Sequence, residues 1–178
     1  MDKKPTLTIS DVREEHIPYI TRYWTRPDAS FWEGMGLDCT KIPSVEKMTA
    51  DFRAMAQTPD RQKKVCSLVW EVNGVPVGYT TLKRIEFGVR ADVHLHMWTP
   101  ELRGRGYGVV FMRLALREFF RRFQLPFILC EPLATNPAPN AVMRKLGATY
   151  LGVVTTTPSE LCTEVEAARY KITPEQVA

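Results

Sequence analysis

Trp98-Thr99-Pro100-Glu101-Leu102-Arg103-Gly104-Arg105-Gly106-Tyr107-Gly108 is the stretch whose reading decides the fold. It follows an alternating apolar run and precedes a long amphipathic one, so it reads as strand, glycine-rich turn, helix. Glycines at 104, 106 and 108 leave backbone N–H groups uncovered by side chains and let the chain approach a ligand closely. The first N–H groups of a helix have no intrahelical partner, and the helix dipole makes that end positive. Together these features favour a phosphate or pyrophosphate group. Arg103 and Arg105 add charge that can pair with phosphate oxygens.

Upstream of the turn, residues 92–98 form an expected strand. Val93, Leu95 and Met97 lie on one face and Asp92, His94, His96 and Trp98 on the other, unless a bulge breaks the register. Before it, Asn73-Gly74 predicts a hairpin joining strands at 65–72 and 77–83, with 84–89 extending the second or bending through Gly88. Near the N-terminus, a strand at 7–9 leads into a helix at 14–24 capped by Asp11 or Ser10. Residues 25–42 read as irregular, and Ser44 opens a helix that stops before Pro59.

Downstream, residues 106–123 read as the main helix. Val109, Met112, Leu116, Phe119, Phe120 and Phe123 form its apolar stripe, with Arg113, Arg117 and Arg121 on another face. Pro126 ends it. A short buried strand at 127–130, a helix at 140–146 ending on Gly147, and strands at 150–155 and 166–172 complete the pattern. The order gives a mixed α/β single domain over residues 1–178, with no repeat, linker or low-complexity tract.

The bulk composition is that of an ordinary globular protein, with 178 residues, 44% of them hydrophobic and 25% charged. A net charge of +4 suits an anionic ligand but falls short of a nucleic-acid-binding face, so the basic segment 117–122 reads as a solvated helix face. Cys39, Cys66, Cys130 and Cys162 show no CxxC pair. Cys66 and Cys130 read as small buried hydrophobes; a nucleophilic Cys130 would need a cap or base that the sequence does not offer. Residues 1–5 lack an apolar signal core and no run reaches membrane-spanning length, so the expectation is a cytoplasmic protein away from the membrane. His94-x-His96 has no third ligand at suitable spacing, so no metal is expected.

Two phosphate motifs fail on inspection. GxGxxG needs a glycine where Val109 stands, and a P-loop needs Gly-Lys-Ser/Thr, which the chain lacks. What fits is Arg-x-x-Gly-x-Gly, from Arg103, Gly106 and Gly108. With Ala91-Asp92 and its strand ahead of it, this segment resembles the pyrophosphate-binding segment of the GNAT superfamily of acyl-CoA-dependent N-acetyltransferases. A second segment, from Asn136 through Asn140 and Met143 to Lys145-Leu146-Gly147, is similar to the one that lines the pantetheine arm. The spacing from Asn136 to Lys-Leu-Gly is like that of the branch acetylating ribosomal-protein N-termini and its drug-modifying relatives.

The resemblance implies an α/β GNAT-like fold: a mixed, mostly antiparallel twisted sheet of about seven strands with helices on both faces. It implies acetyl-CoA as co-substrate, no metal, and direct attack by a primary amine, on a small molecule or a protein N-terminus, in a ternary complex. Backbone groups of Arg103, Gly104, Arg105, Gly106, Tyr107 and Gly108 would hold the pyrophosphate. Asn136, Asn140 and Lys145 would serve the cofactor arm. Met97 or Trp98 would donate an N–H to the thioester carbonyl, where the strand ending there splays from the one at 127–130.

Asp92 stands where the resemblance places a general base, and its other reading is a carboxylate paired with a nearby arginine. His94 and His96 are candidate bases or proton relays, or hydrogen-bonded lining residues. Phe31, Trp32 and Glu33, with Met35, form a candidate acceptor mouth; otherwise the aromatics pack the loop onto the core. Many family members carry a proton-donating tyrosine where this chain has Met143, and Pro139 replaces a frequent serine. A non-catalytic acyl-CoA-binding module is therefore the alternative function, and the chain is expected as monomer or homodimer.

Overall fold

Asn73 and Gly74 both adopt positive φ, 52° and 78°, which is the geometry a two-residue hairpin demands. The turn folds strand β2 (Val65–Val72) onto β3 (Val75–Glu86). From that hairpin the computed structural model, which describes residues 4–25 and 29–178, builds a seven-stranded sheet. The other strands are β1 (Leu7–Asp11), β4 (Arg90–Met97), β5 (Ile128–Cys130), β6 (Thr149–Thr156) and β7 (Val165–Ile172). Their order across the sheet is β1-β2-β3-β4-β5-β7-β6. Every neighbouring pair is antiparallel except β4–β5, which is parallel.

Period-two alternation divides the strands between two cores. On one face Leu68, Trp70 and Val93 pack under helix α4 (Tyr107–Phe123), whose Phe111, Phe119 and Phe123 are fully buried. The Trp70 and Phe111 rings stack with centroids 5.0 Å apart. Burying each such side chain contributes roughly 1.5–3 kcal/mol. On the opposite face Val69, Tyr79 and Trp98 pack against α1 (Ile17–Trp24) and α3 (Val45–Gln57) through Ile20, Tyr23, Trp24 and Met48. Helices α5 (Pro137–Leu146) and the short α6 (Pro174–Val177) complete the first face.

Several boundaries differ from the sequence reading for local reasons. Helix α1 is preceded by a 3-10 turn at Glu14–His16, and neither Asp11 nor Ser10 caps it. Ser10 instead hydrogen-bonds Glu71, and His16 Nδ1 accepts from Arg13 N–H at 3.1 Å. The segment read as irregular carries helix α2 (Ala29–Glu33) and a 3-10 turn at Cys39–Lys41; its residues 26–28 lie outside the described residues, as do residues 1–3 of the expected N-terminal segment. Helix α5 begins three residues earlier than read, because Pro137 sits in the first turn, where a missing N–H costs nothing. The basic face of α4 is tied down rather than freely solvated: Arg122 holds Asp60 and Asp11, and Arg117 donates to the Val177 carbonyl. Among the described residues no helix is long and apolar enough to cross a membrane.

Candidate functional site

The parallel strands β4 and β5 share only one paired position, Asp92 with Leu129. Beyond it they separate, and the backbone of β4 shows what the gap exposes. Trp98 N–H donates to the Val77 carbonyl at 3.0 Å, so hydrogen-bonded pairing with β3 falls on Trp98, His96 and His94. In an antiparallel ladder the intervening residues turn their N–H and C=O the other way. Leu95 and Met97 therefore present their peptide groups to the gap. Arg103 corroborates this for Met97, because its Nη2 reaches that carbonyl at 2.7 Å.

A cavity of about 390 Å³ fills the gap and runs to the glycine turn. Gly104 and Gly106 adopt φ of 75° and 82°, a region that favours glycine, with open space in front of both. Gly106 is the N-cap of α4, and no side chain caps that helix. Val109 N–H turns back to the Gly106 carbonyl at 3.2 Å, and the Tyr107 and Gly108 N–H groups at the positive end of this 17-residue helix are left to a ligand. Gly108 matters for packing: a Cβ there would meet Val142 Cγ2 of α5 at 3.4 Å. This donor set fits a pyrophosphate, and the exposed β4 edge fits an amide-bearing chain. In this structure the two arginines bond backbone carbonyls, Arg103 to Met97 and Arg105 Nε to Glu101 at 3.1 Å. Arg105 does not line the cavity.

Helix α5 forms the facing wall through Ala138, Ala141, Val142 and Lys145. Asn136 lines the cavity and caps this helix, accepting from Ala138 N–H at 3.3 Å. Asn140, expected at the cofactor, is buried away from the cavity. Its Nδ2 donates to the Leu133 and Asn136 carbonyls at 3.0 and 2.7 Å, and its Oδ1 accepts from Tyr170 at 3.0 Å. It holds the loop that carries Asn136 and contributes no lining. Met143 is fully buried in the core and also lines nothing.

Tyr23, Phe31, Met35 and His96 also line the cavity. His96 is boxed by aromatics: it stacks on Tyr79 at 5.1 Å and meets Trp24 edge-on at 5.0 Å. Its Nδ1 lies 3.3 Å from the Tyr23 hydroxyl. Burial pushes its imidazole down to about 3, so the ring is neutral near pH 7. His94 is pushed down to about 3 as well, by burial and by the charges of Lys83 and Arg84. Strand β4 carries no bulge in its pairing with β3 between Asp92 and Met97, so the expected side-chain alternation holds.

Other expected site residues lie elsewhere. Asp92 lines neither this cavity nor the smaller one beside it; its Oδ2 accepts from Arg84 Nη1 at 3.0 Å, and burial raises its carboxyl pKa. Five residues separate it from Met97, roughly 16 Å at about 3.3 Å per strand residue. The arginine-paired reading of Asp92 is therefore the one the geometry supports. Trp98 is corrected too: its N–H is taken by Val77, and its ring is buried on the far face with Nε1 on the Pro76 carbonyl at 3.1 Å. Trp32 is packing, stacked on Trp24 at 5.3 Å, and Glu33 is exposed and lines neither cavity. Burial pushes the Cys130 thiol up to about 12, which removes it as a nucleophile.

Tyr23 and Trp70 line the cavity without a sequence signal that marks them. Both lie in apolar-periodic segments, where a lining aromatic is indistinguishable from a core one. Among the described residues no group of three or more His, Cys, Asp or Glu is arranged to hold a metal ion.

An open, centrally splayed α/β sheet with an uncapped glycine-rich helix terminus beside the splay defines the class of fold. The chain belongs to the GNAT acetyltransferases: the family model "Acetyltransferase (GNAT) domain" matches residues 6–149. Solved structures share the fold at low identity. RimL, a ribosomal L7/L12 alpha-N-protein acetyltransferase in complex with coenzyme A, superposes with a TM-score of 0.76 at 16% identity, covering 96% of each chain. Spermidine N-acetyltransferase from Vibrio cholerae, with CoA and spermine, gives 0.76 at 14% identity, covering 96% of this chain and 97% of that one. Aminoglycoside acetyltransferase AAC(6')-Ib with coenzyme A gives 0.70 at 17% identity, covering 96% of each. No curated protein sequence matches the chain significantly.

Proposed function

We propose that this protein is an acetyl-CoA-dependent N-acetyltransferase that acts on a primary amine by direct transfer. One observation carries the reading: the single-pair junction of β4 and β5, which opens a cavity between an uncapped glycine-rich helix terminus and a boxed histidine. Acetyl-CoA supplies an activated thioester. Backbone N–H groups from Gly104 to Gly108 hold its pyrophosphate, with Arg103 and Lys145 adding charge; the Arg103 N–H itself donates to the Pro100 carbonyl at 3.0 Å. The peptide groups of Leu95 pair with the amide-bearing arm. Met97 N–H points into the gap, where it stabilises charge developing on a carbonyl oxygen.

The Tyr23–His96 pair lines the cavity and faces the amine as it enters. Neutral His96 orients the Tyr23 hydroxyl and accepts a hydrogen bond without bringing a charge that would repel an ammonium. The ammonium gives one proton to water before attack, because only the neutral nitrogen carries a lone pair; the tetrahedral intermediate then gives a second N–H proton to water and expels the CoA thiolate. The rival reading, a binding module without turnover, draws on Met143, because a methionine buried in the core leaves that family position without a proton donor.

Two measurements separate these readings. Acetyl-CoA in large excess over its Kd raises the melting temperature under both, since a ligand that binds only the native state stabilises it. Thiol release with an amine panel then exceeds background only for the enzyme. An unmoved melting curve removes both.

A further inference from the structure

The two ends of the seven-stranded sheet are finished differently. A strand at a sheet edge presents a row of unpaired N–H and C=O groups, and chains that stay single blunt such an edge with shortness, charge, proline or a covering segment. Strand β1, at one end, is five residues long and tied down: Arg122 of α4 bonds Asp11 at 2.7 Å, and the Thr8 and Ser10 hydroxyls donate to Glu71. Strand β6, at the other end, is eight residues long and holds no charged residue and no proline. Among the described residues β7 is its one strand partner. A bulge between Tyr150 and Gly152 interrupts its start, and the register is unbroken from there to Thr156.

Its side chains are equally uncovered. Tyr150 stands opposite Tyr170, ring on ring at 5.4 Å, and Val153 stands opposite Ala168. Tyr170 and Ala168 belong to the core under α4 and α5, so Tyr150 and Val153 face that side of the sheet. No helix reaches this margin: Tyr150, Leu151 and Val153 are 55%, 50% and 53% exposed. The other exposed large apolar side chains among the described residues stand singly on other elements, which is ordinary for a protein surface. Three together on an unpaired edge mark a contact.

The charges beside the edge choose the occupant. Arg144, in the last turn of α5, stands at the end where β6 begins. Glu166, in register with Thr155, stands at the end where β6 finishes. Glu166 alternates with Ala168 and Tyr170 along β7, so it shares their face, the one on which α5 packs. Both side chains are exposed, and neither is in an ion pair among the described residues. The edge is thus neutral along its length, positive at its start and negative at its finish. A two-fold axis through the middle of β6, perpendicular to the sheet, runs the strand antiparallel to its copy and keeps like faces together. It sets the positive end of each strand against the negative end of the other and brings both apolar rows into one strip.

We infer that β6 is the surface by which this chain pairs with a second copy of itself, edge to edge, continuing the sheet from one molecule into the other. The pairing does not depend on the acetyltransferase reading. An eight-residue edge spans roughly 27 Å at about 3.4 Å per residue, so the ladder is short and the pair dissociates on dilution.

Sedimentation velocity of the full chain over a hundredfold range of concentration, up to about 200 μM, is expected to show a 20.4 kDa monomer passing into a species of twice that mass. Leu151→Lys and Val153→Lys place a charge on the edge at exposed positions, and each is expected to stay monomeric throughout with the melting temperature of the dilute parent. Arg144→Glu and Glu166→Arg are each expected to weaken the dimer at least fivefold, and the double reversal to restore it. Amide exchange needs no variant and covers the case of one that fails to fold: exchange within residues 149–156 is expected to slow as the parent is concentrated. A parent that stays monomeric overturns the inference. So does a dimer that persists in both lysine variants, since it is joined by another face, or a double reversal no tighter than the single ones. Exchange in residues 149–156 that is the same at both ends of the range overturns it as well. Coenzyme A binding is expected to be equal in the parent and the lysine variants, so a failure of the acetyltransferase reading leaves this result standing.

Discussion

Asp92 shows how a motif position and a working position can part company. The residue stands beside Ala91 as the family resemblance implies, but its carboxylate is spent on Arg84 at the root of the splay. Asp92→Asn is therefore expected to leave thiol release within about threefold of the parent, because the substitution removes an ion pair distant from the gap. Burial of the Asp92 carboxylate offsets much of what the Arg84 pair contributes, so the stability cost of the neutral amide is small as well. A hundredfold fall in kcat with unchanged CoA binding would return Asp92 to the mechanism. Gly78 makes the converse point. A Cβ there would lie 2.4 Å from the His96 carbonyl oxygen and 2.8 Å from Trp70 Cε3, so β3 must be bare opposite Met97 for β4 to lie where it does.

At the scale of elements, α5 is the joint between the cavities, and its first turn depends on Asn136. Asn136→Ala removes the cap, at a cost of about 1 kcal/mol. For a chain of this size that lowers the melting temperature by roughly 2–4 °C. The same change loosens a wall shared by both cavities, so CoA affinity is expected to fall too; a lower melting temperature with unaltered CoA affinity would confine Asn136 to a structural role. The elements were legible in the sequence where a local signal exists. Asn73-Gly74 marked the hairpin, Ser44 the start of α3 and Gly147 the end of α5. What was not legible depends on contacts across the chain. The His16–Arg13 contact takes the place of the expected cap, and Trp32 packs on Trp24, a partner distant from any local signal. Alternation along β4 placed His94 and His96 together on one face. Nothing in the sequence shows that His94 Nε2 is buried without a partner among the described residues, since that requires knowing what surrounds it.

For the whole molecule, all three histidines titrate below their ordinary 6.5, His94 and His96 down to about 3. The unfolded chain therefore takes up protons first as pH falls. Stability is complete above about 6.5 and is lost progressively as pH drops towards 3. Asp92, whose carboxyl is raised, runs in the opposite sense, one group against three. Asp60, held near 2 by Arg122, adds its own loss only below about 3.8. The urea midpoint is expected to be lower at pH 5 than at pH 7.5, and an equal or higher midpoint at pH 5 would show that the imidazoles are not held neutral.

The lone β4–β5 pairing has one more consequence, in time rather than in space. A central strand of a seven-stranded sheet ordinarily has slow amide exchange along its length, yet here only alternate amides of β4 are bonded to β3. His94 and His96 should hold their deuterium labels, while Leu95 and Met97, one residue away, should trade theirs rapidly with solvent. Occupation of the gap should silence that two-residue beat. The middle of this sheet would then report, amide by amide, whether its cleft is filled.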